Sequence, residues 1–68
     1  MDIKIKGIYR HFKGHLYIVE CIATHTETLE ELVIYRNLET NEIWARPSHM
    51  FLAEVNKNNQ KYRFELQK

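Results

Sequence analysis

Apolar and polar positions alternate along much of the chain, and this alternation predicts β-strands. The longest alternating stretch is Leu16–Thr24, which is rich in β-branched and aromatic residues. Its apolar odd positions are predicted to face inward, namely Tyr17, Val19, Cys21 and Ala23. The same pattern predicts shorter strands over residues 9–12, 32–37, 42–46 and 62–66.

Polar segments between these strands have the composition of turns. Gly14 lies at a tight turn after the first strand, where glycine takes a positive φ without steric cost. Residues 26–31 contain a spacing that can cap a helix, but strand-like sequence follows so soon that a turn is predicted. Residues 38–41 and 56–61 are predicted to be polar loops.

One helical turn is predicted over residues 47–51, because Pro47 can begin a helix where its missing N–H costs nothing. About five short strands, polar links and this turn predict an all-β fold, a small and strongly bent barrel. At 68 residues the chain has room for a single domain over residues 1–68. The strand over 32–37 begins apolar on both faces, which leaves its register and the face of Arg36 open.

Composition adds constraints on stability and location. Cys21 is the one cysteine, so the monomer can form no disulfide and must rely on packing of its aromatic side chains, 12% of the residues. No apolar run approaches the roughly 20 residues that span a bilayer, and residues 1–6 lack the apolar block of a signal peptide. With a lone thiol, this predicts a cytoplasmic protein without membrane contact.

Charge is unevenly distributed although the net charge is only +1. Residues 1–15 carry a balance of +3, residues 16–45 one of −5, and residues 46–68 one of +3. If the two terminal segments pair, the domain has a basic and an acidic pole. Mixed surface charge also serves solubility alone, and that interpretation stays open.

Cysteine and histidine chemistry is disfavoured by the strand pattern. Cys21 and His25 lie four positions apart on an extended chain, about 13 Å, which is too far for a nucleophile and its base. Cys21 is instead predicted to be a buried structural residue on the apolar face. His11 and His15 have a helical ligand spacing where no helix is expected, so neither a metal nor another cofactor is predicted.

Arginines beside aromatic residues are the strongest candidates for a binding surface. A guanidinium suits phosphate or carboxylate, and tyrosine and tryptophan rings offer stacking surfaces. An equally simple hypothesis is that the rings pack the core while the arginines pair with nearby glutamates. The predicted ligand-binding residues are Tyr9, Arg10, His11, Lys13, His25, Tyr35, Arg36, Trp44 and Arg46.

Several of these residues lie in segments that resemble a known family. The segments are YRHFKG (9–14), Tyr17, ATHTET (23–28), YR (35–36), WARP (44–47), MF (50–51) and RF (63–64). In this order they resemble domain-of-unknown-function family 1653, a group of uncharacterised bacterial proteins, over residues 7–66. The resemblance implies an SH3-like small β-barrel that stands alone in the cytoplasm, and it implies no established activity.

Two functional hypotheses follow. The first is a binding module for nucleic acid or another phosphate-bearing partner, which uses the arginine and aromatic residues. The alternative is a protein–protein interaction domain that docks a peptide or partner subunit near Trp44, with acidic residues 27–31 steering a basic partner. An enzyme is disfavoured because no nucleophile, base and oxyanion site assemble. The domain is expected to be a monomer or a weak homodimer.

Overall fold

A computed structural model describes residues 3–68 of the protein as seven short strands and one helical turn. The strands are β1 (Ile8–His11), β2 (Leu16–Thr24), β3 (Glu31–Asn37), β4 (Ile43–Pro47), β5 (Glu54–Lys57), β6 (Gln60–Tyr62) and β7 (Phe64–Leu66), and the helical turn is α1 (Ser48–Phe51). The predicted bounds of the longest strand are confirmed. The predicted helical turn is also present, but it begins at Ser48, and Pro47 is its N-cap and the last residue of β4.

The strands form two antiparallel sheets. A five-stranded sheet has the order β4-β3-β2-β1-β7, and β5 and β6 form a separate two-stranded hairpin. The all-β prediction is therefore confirmed. Among residues 3–68 the strand pairings leave β4 and β7 as open edges, so the ladder does not close into the predicted barrel. The pairing of β1 with β7 does bring the two basic terminal segments together.

A bulge in β2 changes which side chains face inward. The register with β3 passes from Val19 opposite Tyr35 to Cys21 opposite Ile34, so Glu20 is an extra residue in the ladder. Such a bulge reverses the alternation beyond it. The prediction that Cys21 is buried on the inner face is therefore wrong, and its thiol is exposed on the outer face.

The segment predicted to be a loop over residues 56–61 is instead the β5–β6 hairpin. Asn58 and Asn59 connect the two strands with φ values of 52° and 63°. Asparagine tolerates this left-handed region, which tight hairpin turns require. The strand predicted over 62–66 is also wrong in detail, since Arg63 separates β6 from β7 and donates its backbone N–H to the carbonyl of Ala53 at 2.8 Å.

Aromatic rings fill the small core on the inner face of the large sheet. The buried hydrophobic residues are Tyr9, Val19, Val33, Tyr35, Phe51 and Phe64. Phe51 comes from α1 and stacks on Phe64 with ring centroids 4.1 Å apart and an interplanar angle of 3°. Edges of Tyr9 and Tyr35 contact Phe51 at 5.2 and 5.5 Å, so one helical turn covers the centre of the sheet.

Helices long and apolar enough to cross a membrane are absent from residues 3–68.

Candidate functional site

A groove of about 220 Å³ opens on the inner face of the five-stranded sheet. Each strand of that sheet contributes to its lining, which is His11 from β1, Tyr17 from β2, Tyr35 from β3, Trp44 and Arg46 from β4, and Phe64 from β7. Trp44 lies opposite Tyr35 in the ladder, so both side chains project from the same face. We call these six residues the groove.

The floor of the groove is continuous with the hydrophobic core. Tyr17, Tyr35 and Phe64 meet edge to face, with ring centroids 5.3 to 5.5 Å apart. Phe64 in turn rests on Phe51, which is fully buried. Trp44 differs from these rings because half of it is exposed, at 50%. The groove thus combines a rigid aromatic floor with one tryptophan available for stacking.

Arg46 supplies positive charge to the groove. Its Nε donates to the Tyr35 hydroxyl at 3.3 Å, and its guanidinium carbon lies 5.9 Å from the centre of the Phe64 ring. Within the described part of the chain, no carboxylate lies at ion-pair distance from Arg46. The guanidinium therefore keeps donors available for an anion beside the tryptophan.

His11 stands at the end of the groove as a neutral ring. Its Nδ1 accepts the backbone N–H of Lys13 at 3.1 Å, which places the proton of the neutral imidazole on Nε2. Burial, followed by the positive charges of Arg46, Arg63, Lys13 and His15, lowers the pKa of His11 to about 4. Every charge that shifts this pKa is positive, so the surroundings of the groove favour an anionic ligand.

This pKa makes the stability of the fold depend on pH. Between about pH 6.5 and 4 the unfolded chain binds a proton at His11 that the folded chain does not, so the free energy of unfolding falls as the pH drops through that window. We expect a loss of about 1–2 kcal/mol between pH 7 and 5, after allowance for the partial exposure of the ring. Urea titrations at the two pH values measure it.

The matched variant for that experiment is His11→Asn. An asparagine can accept the same backbone N–H two residues on, but it does not titrate. Its free energy of unfolding should change much less than that of the wild type between pH 7 and 5. An equal loss in both proteins would show that other groups cause the pH dependence.

Of the nine residues predicted from the sequence to bind a ligand, the structure places His11, Tyr35, Trp44 and Arg46 in the groove. Tyr9 lies in the core, and its hydroxyl accepts the backbone N–H of Lys4 at 2.9 Å. Lys13 is exposed in the β1–β2 turn, next to the ring of Phe12.

The other three predicted residues lie outside the groove. Arg10 donates through Nε to the Gln60 side chain at 3.0 Å. His25 accepts the backbone N–H groups of residues 27 and 28 and so caps the β2–β3 turn. Arg36 projects from the outer face, since it alternates with buried Tyr35, and it pairs with Glu20 at 2.7 Å.

Arg36 and Lys6 both bind the Glu20 carboxylate, and their hydrogen bonds lower the pKa of Glu20. This cluster anchors the bulged residue on the outer face. The hypothesis that arginines pair with nearby glutamates therefore describes Arg36, whereas Arg46 has no such partner among residues 3–68.

Tyr17 and Phe64 were not among the residues predicted from the sequence to bind a ligand, yet both line the groove. Their inward position follows from the alternation of β2 and β7. The signal that could have found them is the small size of the core, because the edges of rings at one end of such a core are exposed and form a surface there. Periodicity gives the face of a residue and does not give its depth.

Groups of three histidine, cysteine, aspartate or glutamate side chains that could hold a metal ion are absent from the described residues.

The fold and the groove define a small all-β domain with an aromatic, positively charged surface site. The chain belongs to the DUF1653 family of proteins of unknown function, whose family model matches residues 7–66, so the predicted membership is confirmed. It is also similar to the crystal structure of a DUF1653 protein from Bordetella bronchiseptica, with 28% identity over 93% of this chain and 85% of that chain and a TM-score of 0.80. No curated protein matches the chain.

Proposed function

We propose that the protein is a binding module for single-stranded nucleic acid, which enters the groove with a base on Trp44 and a phosphate on Arg46. The observation that carries the proposal is the position of Arg46, unpaired by any described carboxylate, next to the half-exposed tryptophan. Stacking on an aromatic side chain and charge-assisted contact with the backbone are how single strands are held without sequence preference.

The chemistry of the other groove residues supports the same ligand class. His11 is neutral at physiological pH and presents its Nε2–H as a donor, so it can contact a phosphate or a base without adding charge. The exposed indole is one wall, and Tyr17 and Phe64 close the floor beneath it. A double helix has no unstacked base to offer such a surface, which favours a single strand.

A basic peptide partner fits the groove less well. The acidic residues 27–31 that would steer it lie in the β2–β3 turn and at the start of β3, where Glu31 is two residues from Val33, the ladder partner of Arg46. The groove itself is positive, because it contains Arg46 and because the charges of Arg63 and Lys13 act on His11. A basic peptide would therefore be repelled where it enters the groove.

The test uses the fluorescence of Trp44, the single tryptophan in the chain. A short oligouridylate should quench or shift this emission on titration, because a base would cover the indole. If about two phosphates are neutralised, affinity should fall about sevenfold between 50 and 200 mM salt. No binding at low salt, or binding that is independent of salt, would contradict the proposal.

Arg46→Ala should weaken oligouridylate binding about tenfold, because it removes the charge-assisted contact with phosphate. The matched control is Lys57→Ala, which removes the same charge from exposed β5, away from the groove. That control should bind within about twofold of the wild type apart from long-range screening effects. Equal losses of affinity in both variants would mean that the net charge of the protein attracts the strand and that the groove is not a specific site for it.

We further propose that the five-stranded sheet and the β5–β6 hairpin form a partly open SH3-like barrel. Support comes from the pairing of β1 with β7 and from α1, which follows β4 in the chain and covers the inner face of the large sheet with Phe51. In small barrels the interior-facing positions are filled by side chains, as the aromatic core fills the inner face here.

A further inference from the structure

The free edge of β4 exposes backbone groups that have no strand beside them. The Asn37 N–H donates to the Glu42 carbonyl at 2.9 Å, which fixes the alternation of hydrogen-bonded pairs between β3 and β4. Trp44 and Arg46 then direct their backbone groups toward β3, whereas Ile43 and Ala45 direct theirs toward the open edge. The edge thus offers two N–H donors and two carbonyl acceptors.

Both ends of this edge are closed to further pairing. Pro47 has no N–H to donate, and Asn41 leaves the strand with a φ of 64°. Between them the edge side chains are apolar, with Ile43 at 64% and Trp44 at 50% exposed. An apolar edge of this kind is a template for pairing with another strand.

We propose that a second copy of the chain pairs with β4 in antiparallel orientation, with the two-fold axis between the Trp44 residues. Ile43 of each copy then lies opposite Ala45 of the other as a hydrogen-bonded pair. The two such pairs use every free donor and acceptor of the edge. The two Trp44 side chains meet at the non-hydrogen-bonded position, where cross-strand side chains are closest.

Charge complementarity selects this register. With Trp44 on the axis, Glu42 of each copy lies opposite Arg46 of the other, so the symmetry creates two pairs of opposite charge. A register centred on Ala45 would place Ile43 opposite Pro47, which cannot donate. A register centred on Ile43 would place Ala45 opposite Asn41, which has left the strand.

The dimer is expected to be weak and closed. Two residues of usable edge per copy bury far less than the roughly 800 Å² per partner of a standard interface, so we expect a Kd of about 10⁻⁴ M. Pairing β4 with itself consumes the edge, which prevents longer assemblies. The dimer does not depend on nucleic-acid binding. Both would use Arg46, so an oligonucleotide should compete with dimer formation and shift the protein toward monomers.

Sedimentation equilibrium of the full chain without nucleic acid tests the dimer, over about 20 µM to about 1 mM protein. The mean mass should rise toward twice the monomer mass across this range. Ala45→Pro should stay monomeric, because it removes an edge N–H that β3 does not use. Ala45→Val retains that N–H and should associate like the wild type.

A charge exchange tests the register and does not depend on how well the proline variant folds. Glu42→Arg places an arginine opposite Arg46 in both symmetric pairs of the dimer, and this repulsion between like charges should weaken association about tenfold. Combining it with Arg46→Glu restores opposite charges and should recover most of the association. A wild type that stays monomeric at about 1 mM, or a proline variant that associates equally, overturns the proposal. A double variant that associates no more tightly than Glu42→Arg also overturns it.

Discussion

Phe51→Ala should lower the free energy of unfolding by about 4 kcal/mol. Phe51 is fully buried, stacks on Phe64 and is contacted by the edges of two tyrosine rings. Truncation removes these contacts and opens a cavity in the one core of the domain. At roughly 0.05–0.15 kcal/mol per residue, a domain of 68 residues has about 3–10 kcal/mol of stability, so this loss is a large share of it.

Urea denaturation followed by Trp44 fluorescence measures this loss. Met50→Ala is the matched control, because Met50 precedes Phe51 in α1 but is 42% exposed, and its replacement should cost less than about 1 kcal/mol. Phe51→Leu should fall between the two. A Phe51→Ala variant as stable as the control would show that α1 does not hold the core together.

The second large effect is expected at Gln60, a buried polar residue whose side chain joins three segments. Its Nε2 donates to the carbonyls of Arg10, Tyr62 and Arg63 at 2.8, 2.9 and 3.3 Å, and its Oε1 accepts from the Arg10 side chain. Gln60→Leu keeps similar bulk but removes all of these hydrogen bonds, and the Arg63 carbonyl retains only the backbone N–H of Phe12, at 3.0 Å. We expect a loss of about 2–4 kcal/mol from the lost hydrogen bonds, at roughly 1 kcal/mol each.

Thermal unfolding of Gln60→Leu and Gln60→Glu distinguishes hydrogen bonding from packing. A carboxylate cannot donate to the carbonyls, so Gln60→Glu should be at least as unstable as Gln60→Leu. Asn59→Ala would strain the neighbouring turn and is unsuitable as a control, whereas Lys61→Gln is exposed and should have little effect. Near-wild-type stability of Gln60→Leu would show that water satisfies these carbonyls.

Much of the sheet could be predicted because alternation is a local property of the sequence. The bounds of β2 follow from it directly, whereas the helical turn after Pro47 follows from the place that proline takes near a helix start. The bulge at Glu20 could not be predicted, since an extra residue in a ladder depends on what the neighbouring strand offers. The β5–β6 hairpin was missed because its strands are polar and short, and its Asn58 and Asn59 turn resembles an unstructured loop.

The groove could be predicted only in part, for a similar reason. Trp44 and Arg46 are two residues apart in a predicted strand, and this spacing predicts that they lie on the same face. Arg10 and Arg36 had the same neighbouring tyrosines in the sequence, but distant residues decide their partners, Gln60 in one case and Glu20 in the other. Whether an arginine is free to bind a ligand is a tertiary property.

The pairing of β1 with β7 governs when the groove forms. Strands β1 to β4 lie in sequence order and can pair through short loops, whereas β7 must close a loop over most of the chain to reach β1. Phe64 in β7 is both the partner of Phe51 and the floor of the groove. Before β7 pairs with β1, Trp44 and Arg46 therefore lack the Phe64 ring that completes the floor, and the groove forms only once that pairing is made.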